Sequence, residues 1–300
     1  MLSSHAGTPE ARIGRDRLPT PVASQLPPAT RIAAPAGYDI PVRRFGVDGP
    51  GRPVVMLHGL ESHSGWFVQS AQRIAALGLP VYAFDRRGSG LSRAEGACRL
   101  EALLAEIDLV ADRALAGGPH QSVHLVGHCF GAILALLYAA LHRPARVASL
   151  VLATPALYTR TDLPVRDKLR VLWSVLRGRA ARVAIPLSPE EFSELPAFVR
   201  FVREDSLTLR AAPARLFYEV SRARHRLPDA AAALRAPLLV AMAGSDPICD
   251  NRRNRALFDR IAGDKEIREY SGARHILEFS HRRDEFLQDL AAWYERRESR

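Results

Sequence analysis

The chain has 300 residues, 47% of them hydrophobic and 25% charged, a balance ordinary for a globular protein that supports a sizeable core and argues against a disordered chain. Its net charge of +10 is almost all arginine, because lysine occurs only at Lys168 and Lys265. The arginines are scattered rather than grouped and no nucleic-acid motif accompanies them, which favours a solvated surface; attraction to an anionic partner such as phosphopantetheine, coenzyme A or a lipid headgroup is the second reading.

Residues 1–33 carry Arg12, Arg15, Arg17 and several prolines without the apolar run of a secretory signal, and are expected to be a flexible leader. Patterned sequence starts near Gly37. Strands are predicted over 39–47, 53–57, 80–84, 123–126 and 147–153, with helices over 65–77, 100–115 and 132–141 between them. This alternation predicts a doubly wound, mostly parallel α/β sheet.

From Pro155 the pattern turns helical, rich in Arg, Leu and Ala, with no buried-strand run until Pro237. Strands over 237–243 and 266–270 and helices over 252–261 and 284–294 then complete the sheet. The expected organisation is a core of residues 34–154 and 231–300, with residues 155–230 as a helical cap over the carboxyl edge, where ligands bind in such sheets. The longest apolar stretch, Val123 to Leu141, is broken by Gly127-His128-Cys129 and Gly131. A span needs about 20 unbroken apolar residues, so no stable membrane insertion is expected.

The three cysteines, Cys98, Cys129 and Cys249, lack the number for a disulfide framework and the spacing for a metal site. A reduced, cytoplasmic setting follows, with no metal and no cofactor expected. Cys98 and Cys249 are read as structural by default.

Cys129 is different. It is the centre of Gly127-His128-Cys129-Phe130-Gly131, between an apolar strand and a helix. A nucleophile on that sharp turn stands above the sheet edge, at a helix N-terminus whose dipole favours the reactive thiolate. The plain alternative is a buried cysteine in a glycine-rich turn. A nucleophile needs a base and an orienting acid. Asp246, after the strand over 237–243, and His275, after the strand ending at Tyr270, follow in the order nucleophile, acid, histidine. Asp250 is the competing acid. The backbone N–H groups of Phe130 and Leu60 are the candidate oxyanion donors. His58 and His128 read as structural.

With these residues assembled, the chain resembles the monoacylglycerol-lipase and lysophospholipase branch of the α/β-hydrolase superfamily, the serine aminopeptidase S33-like group. The matching stretches are 58–67, 85–92, the elbow at 127–131, 243–248 and 273–278. The resemblance implies the α/β-hydrolase fold, a helical cap and an apolar acyl pocket. It also implies serine where this chain has Cys129. Cysteine elbows resemble those of dienelactone hydrolases, polyhydroxyalkanoate synthases and some thioesterase or cyclase domains.

The expectation is therefore a Cys129 acyl-enzyme with His275 and Asp246. Its partner is a small-molecule or carrier-bound acyl substrate, a thioester, ester or lactone, and no nucleic acid. Transfer or cyclisation of a coenzyme A- or carrier-bound acyl group is the alternative, and a non-catalytic binding protein the lesser one. Arg166, Arg170, Arg177, Arg179 and Arg182 of the cap are candidates for meeting an anionic donor, or are a solvated face.

Overall fold

The computed structural model describes residues 26–35, 37–92 and 98–299. Strands β1 (Thr30–Ala34), β2 (Tyr38–Phe45), β3 (Val54–Leu57), β4 (Val81–Phe84), β5 (Val123–His128) and β6 (Val147–Ala153) form the first part of the main sheet. Helices α1 (Val68–Ala75), α2 (Leu100–Leu115) and α3 (Phe130–Leu137) lie between them. The segment after β6 holds α4 (Val165–Arg177), the short strands β7 (Arg182–Ala184) and β8 (Ala211–Pro213), α5 (Pro189–Phe192), α6 (Pro196–Glu204), α7 (Ala214–His225) and α8 (Leu227–Ala233). The chain closes with β9 (Leu238–Ala243), α9 (Asn251–Phe258), β10 (Lys265–Tyr270) and α10 (Arg283–Glu298).

Eight strands run in the order β1-β2-β4-β3-β5-β6-β9-β10. β2 is antiparallel to β1 and β4, and every pairing from β4 to β10 is parallel. This is the α/β-hydrolase fold that the resemblance implied. Helices cover both faces, so the central strands are apolar on both sides. Along β9, Leu238, Val240 and Met242 pack into one core with α2 and α3. Leu239, Ala241 and Ala243 pack into the other core, with α1 and α10.

Three expectations change. The leader cannot extend to residue 33, because Thr30–Ala34 is the edge strand β1, in antiparallel register with β2; residues 1–25 lie outside the described residues. The segment over the site is not wholly helical, since β7 and β8 pair as a small antiparallel ribbon. Its expected end at residue 230 falls inside α8, whose Leu227, Ala230 and Ala231 pack in the sheet's own core.

Among the described residues no helix is long and apolar enough to cross a membrane. On α4, Val165, Leu169, Trp173 and Leu176 are exposed, while Val171 and Ser174 on the opposite face are buried.

Candidate active site

β5 drives straight into α3, and the junction is Cys129, with φ 53° and ψ −115°. A positive φ at a non-glycine residue is strained and persists only where its surroundings fix it. Here the Cys129 N–H donates to the Ala153 carbonyl at 3.1 Å. Its own carbonyl accepts from Ala132 N–H at 3.1 Å and Ala156 N–H at 3.2 Å. The two elbow glycines are sterically required. A Cβ on Gly127 would stand 2.6 Å from the Gly131 carbonyl oxygen, and one on Gly131 would stand 2.6 Å from those of both Leu57 and His58.

Asp246 and His275 follow the parallel neighbours β9 and β10, which brings both to the same sheet edge. His275 Nδ1 lies 2.9 Å from Asp246 Oδ2 and 3.2 Å from Oδ1. Oδ1 also accepts from the N–H groups of Ile248 at 2.8 Å and Cys249 at 3.0 Å. Burial alone would raise the Asp246 pKa, but the neighbouring His275 charge and these hydrogen bonds hold it below the ordinary value. Burial alone would lower the pKa of His275, but the Asp246 carboxylate hydrogen-bonded to it holds it well above 6.5. His275 Nε2 is buried and has no hydrogen-bond partner. The competing acid, Asp250, is instead the N-cap of α9, accepting from Arg253 N–H.

Phe130 is the first residue of α3, so its N–H has no partner within the helix. The loop after β3 passes directly over the elbow: a Cβ on Gly59 would lie 3.0 Å from Cys129 Cβ. Arg86 fixes that loop. Its Nη2 donates to the carbonyls of Gly59 at 3.2 Å and Leu60 at 2.5 Å. In a trans peptide the N–H points opposite the carbonyl, so the Leu60 N–H is turned away from Arg86. The Arg86 cation also sits 5.2 Å from the centre of the Phe130 ring. His58 accepts from Arg86 N–H at Nε2, and burial drives its pKa down to about 3. His128 stacks on Phe67 at 3.8 Å and is likewise driven to about 3 by burial. Both are neutral packing residues, as the sequence suggested.

A cavity of about 100 Å³ opens beside Cys129, lined by Leu60 and Phe130 from below and by Ile185, Phe217 and Val220 from above. The five arginines that the sequence singled out are all exposed and none lines it; Arg177 stacks on Trp173 at 5.0 Å. The arginine that does line the cavity is Arg224, on α7. Sequence reasoning missed it, although Phe217, Val220 and Arg224 recur at helical spacing on one face.

Cys249 is also closer to the chemistry than expected, with Sγ 3.7 Å from His275 Nδ1. Asp246, Cys249 and His275 are a set whose donor atoms lie within 4.8 Å of one another, as a metal site requires. The Asp246 and His275 atoms are already engaged with each other. Cys98 is buried just before α2.

A family model described as serine aminopeptidase, S33, matches residues 49–280. The chain is 28% identical over 245 residues to a monoacylglycerol lipase of Mycolicibacterium smegmatis, which covers 80% of this chain and 86% of that protein. It is 26% identical over 250 residues to an abhydrolase domain-containing protein of Dictyostelium discoideum, covering 81% of this chain and 26% of that protein. The crystal structure of the Paleococcus ferrophilus monoacylglycerol lipase matches with a TM-score of 0.75 at 26% identity, covering 85% of this chain and 97% of that one.

Proposed function

The chain belongs to the serine aminopeptidase S33 family, and from that premise we propose that it is an acyl hydrolase that carries its acyl group on Cys129. The observation that supports this most is the pairing of a strained, cavity-facing Cys129 with a His275 whose Nδ1 is held by Asp246 and whose Nε2 is unengaged.

In this reading the Cys129 thiol passes its proton to His275 Nε2 as Sγ attacks the acyl carbonyl. The N–H groups of Phe130 and Leu60 stabilise the oxyanion. The C–O or C–S bond to the leaving group breaks, and His275 returns the proton to it. Water then attacks the Cys129 thioester, giving its proton to His275. Collapse releases the carboxylic acid and restores the thiol. Asp246 fixes the ring and its tautomer throughout.

The relatives that are monoacylglycerol lipases support ester cleavage, and the apolar cavity supports an apolar acyl group. The thiol adds a preference for thioester and lactone donors, because an acyl-Cys129 is itself a thioester and exchange with another thioester is nearly isoenergetic. The same thiol favours the second reading, transfer or cyclisation of a coenzyme A- or carrier-bound acyl group, in which an amine, thiol or hydroxyl replaces water. A non-catalytic role is disfavoured by the intact Asp246–His275 pair. Cys98, Cys129 and Cys249 all lack a disulfide, which suits a reducing, cytoplasmic setting.

Intact-protein mass spectrometry after brief exposure to acyl thioesters and para-nitrophenyl esters tests this. The expected result is an acyl adduct on Cys129, absent in Cys129→Ala. Turnover that survives Cys129→Ala overturns the proposal. Products formed with and without added acceptors separate hydrolysis from transfer.

A further inference from the structure

Arg224 stands out among the cations because it lines the same cavity as Cys129, in company that is mostly apolar apart from Thr159, Thr161 and Asp162. Its Nη2 donates to Thr159 Oγ1 at 3.0 Å, while its Nε is buried without any hydrogen-bond partner. A buried donor left unmade is expensive, and more so when it carries charge. Among the described residues no carboxylate forms an ion pair with it. Asp162, also on the cavity wall, raises its pKa electrostatically. That carboxylate is already occupied, however, by Lys168 and by the Leu163 N–H at 2.7 Å. Burial pulls the Arg224 pKa down, yet a guanidinium remains a cation at any ordinary pH.

Position makes this cation purposeful. α7 places Phe217, Val220 and Arg224 on the face turned to the cavity, while Arg222 on another face pairs with the buried Glu219 and the exposed Glu101. The cavity thus has a thiol at one wall, mostly apolar sides, one carboxylate already paired with Lys168, and one incompletely satisfied guanidinium. Such a site is complementary to a mostly apolar molecule bearing one oxyanion, which would form charge-assisted hydrogen bonds where water is scarce.

We propose that Arg224 is a specificity residue that selects substrates carrying a carboxylate or similar oxyanion in addition to the acyl bond presented to Cys129. The inference rests on the acyl-hydrolase reading above. The oxyanion belongs either to the acyl chain or to the leaving group, and one set of esters separates the two. Phenyl hexanoate is neutral, the monophenyl ester of adipic acid carries its charge on the acyl chain, and para-carboxyphenyl hexanoate carries it on the leaving group. Hydrolysis of each consumes one water and releases one acid and one phenol.

For the parent, kcat/KM is expected to favour one of the two charged esters over the neutral one. Arg224→Met is expected to reduce that charged-to-neutral ratio by about tenfold to a hundredfold, and Arg224→Lys to restore part of it. The ratio cancels any general loss of activity, and circular dichroism with thermal melting shows whether each variant is folded. If Arg224→Met does not fold, Arg224→Lys and Arg224→Gln carry the same comparison. A charged-to-neutral ratio that is the same in the parent and the folded variants overturns the inference.

A second readout needs no turnover and survives failure of the acyl-hydrolase reading. Adipate is expected to protect Cys129 from iodoacetamide in the parent, and to need at least about tenfold higher concentration in Arg224→Met. Equal protection of both proteins, or protection of the parent by neutral hexanamide but not by adipate, overturns it.

Discussion

The Sγ of Cys249 lies 3.7 Å from Nδ1 of His275, at the ring nitrogen that Asp246 also holds. Cys249 therefore borders the imidazole that Cys129 influences electrostatically, and their environments separate the two thiols. Cys249 is fully buried, with Sγ 3.5 Å and 3.4 Å from the carbonyl oxygens of Thr154 and Pro155. Burial and the adjacent Asp246 carboxylate push its thiol pKa far up, so it stays protonated at neutral pH and is a poor nucleophile. Cys129 is 6% exposed and opens on the cavity. Iodoacetamide near neutral pH is expected to alkylate Cys129 first, as read by peptide mapping. Prior modification of Cys249 would overturn the assignment of the nucleophile.

The His275–Asp246 pair predicts a pH dependence whose sign is fixed by their environments. In the proposed mechanism His275 must be unprotonated to accept the thiol proton, so activity is expected to rise with pH through its pKa. With that pKa held above 6.5, chiefly against burial by Asp246, the acid limb of kcat/KM is expected to be centred above 6.5. Asp246→Asn removes the charge that raises it and leaves the burial that lowers it. The limb is then expected below 6.5, with kcat down about a thousandfold or more as the tautomer is lost. An unshifted limb would show that another group controls the profile.

In the proposed mechanism Arg86 is a positioning residue. It touches no reacting atom but holds the Gly59 and Leu60 carbonyls that orient the Leu60 amide. Losing one oxyanion donor costs about a hundredfold in kcat or more. Arg86→Met is expected to reduce kcat by about tenfold to a hundredfold with KM little changed, since the cavity wall stays intact. Arg86→Lys, which keeps one donor to the carbonyls, is expected to recover part of it. A loss confined to KM would point to substrate binding instead.

The legible parts of this molecule were those where one physical demand dominates a short stretch. Val54–Leu57 must be apolar on both faces, and it reads as a strand without help. Gly127 and Gly131 must lack a Cβ, Cys129 must follow a strand, and Asp246 and His275 must follow two more; all of that is local pattern. β1 was missed because Thr30–Ala34 pairs on one side only and is mostly exposed, so nothing in its composition marks it as strand. β7 and β8 have three residues each, too short for any period to show. Arg224 was hidden differently. The sequence offers many arginines, and only the packing of α7 against the cavity separates this one from the exposed Arg222 and Arg226 beside it. The thiol of Cys249 came to His275 through the tight Asp246-to-Cys249 turn, which sequence spacing alone does not draw.

The last prediction concerns how the segment over the site is fastened. Asp205, just past α6, accepts from His63 Nε2 at 2.9 Å, Trp66 Nε1 at 2.7 Å, Thr208 Oγ1 at 3.0 Å and Leu207 N–H at 3.0 Å. His63 and Trp66 belong to the stretch just before α1, so this one carboxylate ties the segment over the site to the sheet body. Burial would raise its pKa, but these donors outweigh it and hold it well below 3.8. A depressed carboxylate contributes stability above its unfolded pKa and loses it as pH falls through the folded value. Stability is therefore expected to fall progressively below about pH 3.8. Asp205→Asn is expected to cost about 2 kcal/mol at neutral pH, the size of a hydrogen bond to a charged group, and to flatten that acid limb. Urea unfolding followed by tryptophan fluorescence measures both, because Trp66 reports on its own hydrogen bond to Asp205. Equal stability of parent and variant at pH 7, with parallel acid limbs, would show that the apolar contacts of Phe198 and Val202 hold the segment without this carboxylate.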